Sequence, residues 1–147
     1  MKTIIKVAIL VVLLPVGLSA QTDDEWPPLN YLKSDYKSVQ VVALVRIREA
    51  EIANKIPGYD TWKIVAEVIE PFKGKFRKGE VIEYFHGADA GFKKEIFMGE
   101  KIVFLLAEYD KEKKALRYSA LENSTLPYTE GRVKKLRIIK RSFAKKQ

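Results

Sequence analysis

The chain has no cysteine and a single histidine among its 147 residues. The first absence excludes disulfides, thiolate metal sites and thiol nucleophiles, so the fold must hold by burial and backbone pairing alone. A lone imidazole, His86, excludes a metal centre made of several histidines, and catalysis by a histidine pair, within one chain. Long apolar runs are also scarce. The one candidate, residues 7–18, is interrupted by Pro15 and Gly17, whereas a membrane-spanning helix needs about 20 apolar residues. With Lys2 and Lys6 before it and Leu18-Ser19-Ala20 after it, that run follows the pattern of a secretory signal peptide cleaved after Ala20. The expected location is therefore secreted or periplasmic, with retention as an uncleaved anchor the alternative.

The net charge of +8 is unevenly placed: 27 basic residues face 19 acidic ones. Lys2 and Lys6 belong to the leader, and eight basic residues with no acid lie beyond Gly131. Residues 21–131 thus hold 17 basic and 19 acidic side chains, a balance of −2. A body of that sign lacks the overall attraction of a dedicated nucleic-acid binder. All the positive excess sits in the tail. The 127 residues left when twenty are removed from 147 suit one domain with a modest core.

Along that domain, residues 21–28 are acidic and broken by proline, as in an extended arm. A short helix or turn is expected over residues 29–38. Alternation of apolar residues at 39, 41, 43, 45 and 47, then at 62, 64, 66 and 68, predicts two strands joined by a loop at Pro57-Gly58. Residues 81–85 predict a third strand, and Gly87 to Gly91 a break after it. The apolar run 101–107 reads as a strand buried on both sides, and 115–121 as its hairpin partner. Val133, Leu136, Ile139 and Phe143 recur near helical spacing and predict an amphipathic C-terminal helix. Five short strands with one or two helices predict a mainly β fold, a small closed barrel or sandwich.

The order of these features resembles the netrin-like module, the OB-type barrel shared with the tissue inhibitors of metalloproteinases. The resemblance rests on Ser34-Asp35-Tyr36 leading into residues 41–45, on the phrase ending Phe72-Lys73-Gly74, on the strand start Gly79-Glu80, and on Gly99-Glu100 before the apolar strand. It implies a five-stranded OB-type Greek-key barrel over residues 34–125, after a leader at 1–20 and an arm at 21–33, with a basic helical tail at 126–147. In that family an N-terminal cysteine chelates the protease zinc and disulfides brace it. This chain has neither. The resemblance therefore implies a binding module rather than the inhibitory residues, with a surface built from Asp23, Asp24, Glu25 and Trp26 of the arm, the 50–59 loop with Tyr59, and the 86–92 loop with His86.

Catalytic signals are weak. Asp89 follows His86 by three residues, but the serines at 34, 38, 119, 124 and 142 sit in no nucleophile motif. Glu67, Glu70, Glu80 and Glu83 lie among lysines as on a solvated strand face, and Asp23-Asp24-Glu25 lacks the framework of a calcium loop. No cofactor or metal is expected. Lys73, Lys75, Arg77 and Lys78 interleave with Phe72 and Phe76 in a mixture used on single-stranded nucleic acid, but the bland reading, rings against the core and lysines in water, is favoured and nucleic acid is not the expected partner. Lys134, Lys135, Arg137, Lys140 and Arg141 give the tail helix a basic side suited to an anionic surface, or else to solubility beside a docked apolar face. The expectation is a non-catalytic extracytoplasmic module for an envelope or extracellular protein or surface ligand. The alternatives are a cysteine-independent protease inhibitor and a small hydrolase.

Overall fold

The structure is a computed structural model and describes residues 26–145. The leader expected at residues 1–20 lies outside the described residues. In chain order the elements are α1 (Leu29–Ser38), β1 (Val41–Ile56), β2 (Tyr59–Lys73), β3 (Val81–Asp89), a short 3-10 turn (Lys94–Ile96), β4 (Gly99–Asp110), β5 (Ala115–Ala120), β6 (Leu126–Pro127) and α2 (Glu130–Ala144). The fold is mainly β with two helices.

β1 and β2 form one long antiparallel hairpin, turned at Pro57 and Gly58, where Gly58 takes a φ of 80° that favours glycine. The expected 50–59 loop is therefore strand almost to its tip. The reason is local: the β-branched alternation of β2 continues to Thr61, and residues 50–56 find partners along it from Ile64 to Tyr59. Likewise the break expected after Phe85 is delayed, because β3 stays paired to β2 as far as Asp89.

The strands lie in the order β1-β2-β3-β5-β4-β6, and β1 pairs in addition with β4. The expected closed, five-stranded OB-type barrel is corrected here to a six-stranded mixed sheet that curls on itself and leaves an open seam. β3 and β5 run parallel and meet at one residue pair, Phe85 and Ser119. Each is held instead by its antiparallel neighbour, β3 by nine pairs to β2 and β5 by six to β4. Side chains rather than backbone span the gap. On the outer face the Arg117 guanidinium lies 4.2 Å from the centre of the Phe85 ring. On the inner face Phe76 meets Tyr118 edge-on at 5.2 Å. A groove of about 240 Å³ between residues such as Val81, Phe85 and Leu116 opens beyond the bridge on one side.

Two apolar cores follow from the two faces of the sheet. The inner one gathers Val41, Ala43, Val45 and Ile47 of β1 with Trp62, Ile64, Ala66 and Val68 of β2 and Val103 and Leu105 of β4, as the period-two pattern predicts. The outer one uses the intervening residues Val42, Leu44, Ile102 and Phe104, which meet Leu32 and Tyr36 of α1 and Val133, Leu136 and Ile139 of α2. β1 and β4 are thus covered on both sides, which is why 41–45 and 102–105 read as continuous apolar runs.

The tail helix starts where Thr129 Oγ1 accepts from the Arg132 N–H at 3.2 Å, a capping bond that satisfies one of the helix's free N–H groups. It docks through apolar burial and through its cations. Arg137 donates to both oxygens of Glu70 on β2, at 2.9 and 2.8 Å, and Lys140 to the Pro71 carbonyl at 2.9 Å. Arg132 donates to the Trp26 carbonyl at 3.0 and 2.9 Å, and Lys135 to that of Pro27 at 3.2 Å.

Candidate functional site

On the other side of the Phe85–Ser119 bridge the seam widens into a cleft of about 500 Å³. One wall is the end of β3, from His86 to Asp89. The other is the connection from β5 to β6, Leu121 to Thr125, which Asn123 turns with a φ of 58°. Tyr59, at the start of β2, and Phe92, just after β3, close the ends.

Each side chain owes its position to pairing. Register sets Trp62 opposite His86 and Thr61 opposite Gly87, so His86 and Ala88 share the inner face with Trp62, and Tyr59, Gly87 and Asp89 the outer one. The cleft therefore wraps the free margin of β3. Tyr59 reaches over the outer face of β3 and lies directly on Gly87, the one residue type whose missing side chain leaves room for it.

His86 forms the floor. Its ring meets Phe97 edge-on at 5.2 Å, and Phe97 in turn packs on Trp62 at 4.8 Å. Burial lowers the His86 pKa, since the charged form loses hydration that nothing here replaces. Its Nδ1 lies 3.4 Å from Thr125 Oγ1, a long contact across the cleft. The Trp62 indole N–H, buried beneath, has no hydrogen-bond partner among the described residues.

Of the residues expected to form a binding surface, the fold brings Tyr59 and His86 to one cleft, together with the 86–92 segment. Trp26 is elsewhere, its ring 5.5 Å from that of Tyr31 and its carbonyl held by Arg132. Asp23, Asp24 and Glu25 lie outside the described residues. Asp89 is placed on the face opposite His86, because three residues along a strand reverse the side; Thr125 is the neighbour instead. Ser124, beside Thr125 in sequence, donates instead to Asp35 at 2.9 Å. Among the described residues no group of three or more His, Cys, Asp or Glu side chains is placed to hold a metal ion.

In the basic tail, Lys135 is buried and Arg137 and Lys140 are engaged by the body as described above. Lys134 and Arg141 point to water on either side of exposed Ile138. Residues 121–125 were not among the expected site residues, and Gly87 was expected only as part of the 86–92 loop, not as the seat of Tyr59. The only local signals there are the Asn123-Ser124-Thr125 tripeptide, which matches a glycosylation acceptor, and a glycine within a strand, which marks a close approach.

Neither the models of known protein families nor the curated proteins yield a match to this chain. Together with the open seam, this leaves the netrin-like, OB-type kinship expected from the order of motifs without support, and it is withdrawn.

Proposed function

We propose that the chain is a non-catalytic, extracytoplasmic binding module that takes its ligand in the cleft at the β3–β5 seam. The observation that carries this reading is the cleft itself: about 500 Å³, lined by two partly exposed aromatic rings and a set of polar groups, on a rigid sheet. Concave sites with a few convergent polar groups are the commonest form of ligand site. Burial lowers the proton affinity of His86, and its polar contact among the described residues is with Thr125 rather than with a carboxylate, which supports a hydrogen-bonding role in ligand recognition. Export is supported by the leader pattern of residues 1–20.

The test is titration of isotopically labelled protein with a panel of amines, carboxylates, oligosaccharides and short peptides. The expected outcome is saturable shifts of the Tyr59, His86, Phe92 and Thr125 resonances. Shifts confined to other surfaces, or none with any class of probe, would overturn the reading.

A further inference from the structure

The margin of β3 that borders the cleft is an unused sheet edge. Two backbone bonds bracket the β2–β3 ladder: the Val68 N–H donates to the Glu80 carbonyl at 2.8 Å, and the Ala90 N–H to the Gly58 carbonyl at 3.1 Å. Antiparallel partners alternate between bonded and non-bonded pairs. Between those two bonds the even-numbered residues 82–88 therefore bond to β2, and the odd-numbered ones turn their N–H and C=O groups the other way. Of these, only Phe85 meets β5. Gly87 and Asp89 present two donors and two acceptors to the cleft, and among the described residues no strand partner takes them.

The charge of the cleft is one-sided. Asp89 and Glu122 stand on its two walls, and among the described residues no lysine or arginine lines it. His86 is neutral. The rings of Tyr59 and Phe92 add faces that attract a cation or an aliphatic stem.

We propose that the cleft binds an extended, lysine- or arginine-bearing segment of a partner protein, which adds as a strand to the Gly87 and Asp89 edge of β3 and sets a cationic side chain between Asp89 and Glu122. Strand addition supplies backbone hydrogen bonds for affinity, and the pockets for alternate side chains supply choice of sequence. The aqueous seam makes the edge available because curling of the sheet parts β3 from β5 there. This inference rests on the cleft being a ligand site, and it names the chemistry of the ligand.

The probe is an acetylated, amidated pentapeptide of alternating valine and lysine, compared with its glutamate counterpart and with a form N-methylated at alternate amides. Titrated into the labelled protein, the lysine peptide is expected to slow exchange of the Gly87 and Asp89 amide protons by about tenfold or more. The glutamate peptide is expected to bind at least about tenfold more weakly, and N-methylation to abolish binding, because it removes the donors that strand addition needs. The paired substitution Asp89→Asn with Glu122→Gln alters two solvent-facing groups and should leave the melting temperature in place while weakening the lysine peptide about tenfold. Equal binding of the N-methylated peptide, or an unchanged affinity in the paired variant, would overturn the proposal. A neutral probe, tetra-N-acetylchitotetraose, separates the two levels. If it shifts Tyr59 and His86 while neither peptide does, the cleft is a ligand site and the peptide assignment falls; if nothing in the wider panel shifts them, both fall.

Discussion

The hydroxyl of Tyr59 occupies the space in which a side chain at position 87 would begin. A Cβ built on Gly87 would lie 1.6 Å from that oxygen and 2.4 Å from the ring carbon that bears it, far inside any real contact. The two residues sit diagonally on adjacent strands, and the ring covers backbone that glycine leaves bare. Gly87→Ala should therefore evict Tyr59 from the β3 margin and reshape the cleft. Because the ring is partly exposed and free to swing, the stability change should stay below about 1 kcal/mol. The check is the Tyr59 ring signals, which should shift in Gly87→Ala while the melting temperature moves by only a few degrees; unchanged ring signals would contradict this geometry.

His86 carries a pH prediction whose sign follows from burial. Its pKa is lowered in the folded chain, so below the ordinary value of about 6.5 the unfolded chain takes up a proton that the folded one resists. Stability should fall as pH drops from about 6.5 towards the folded midpoint, and this component should be absent above that range. A histidine ring titration by NMR should give a midpoint below 6.5, and His86→Gln should flatten the slope of melting temperature against pH between about 6.5 and 5.5. A midpoint above 6.5 would refute the account.

The pair Glu70 and Arg137 ties α2 to β2 through two parallel hydrogen bonds. Arg137 holds the Glu70 carboxyl below its ordinary pKa, first through that hydrogen bond. The stabilisation is therefore complete above about pH 4.3 and is lost as pH falls through the lower, folded value. Both side chains keep partial solvent contact, so a double-mutant cycle with Glu70→Gln and Arg137→Met should return a coupling of about 0.5–1 kcal/mol at neutral pH. The coupling should disappear near pH 2.

Tyr36 ties α1 to β2 and α2 within the outer core. Its hydroxyl donates to the Phe72 carbonyl at 2.7 Å, and its ring stacks on Phe143 of α2 at 5.3 Å. Tyr36→Phe should cost about 1–2 kcal/mol by stranding that carbonyl, while keeping the stack. Leu136→Ala, which empties fully buried volume at the helix–sheet contact, should cost about 2–5 kcal/mol. Chemical denaturation ranks the two, and a larger loss for Tyr36→Phe would place the outer core elsewhere.

Much of the architecture could be read from residue patterns, and the reason is periodicity. Alternation at 62, 64, 66 and 68 named the inner face of β2 correctly, and the spacing of Val133, Leu136 and Ile139 named the docked face of α2. On β1 the alternation told half the story: Val42 and Leu44, at the intervening positions, are as deeply buried as their neighbours because helices cover the second face. Closure was misread for a different reason. Whether β3 meets β5 over several residues or one depends on how the sheet curls, and no local pattern in residues 81–89 or 115–120 records it. The same limit hid half of the cleft, since Thr125 reaches His86, and Glu122 the same cleft, only through that curl. Tyr59 and His86 were named through the family resemblance as loop residues, whereas what brings them to one cleft is strand register, with β3 paired to β2 as far as Asp89.

The carbonyls of Trp26 and Pro27, gripped by Arg132 and Lys135, tie the entry of the described chain to the first turns of α2. That grip makes the last helix a latch. Fraying of its first turns would strip residues 26–28 of these bonds while Leu32 and Tyr36 kept α1 seated on the sheet, so the entry segment should loosen before the helix behind it does.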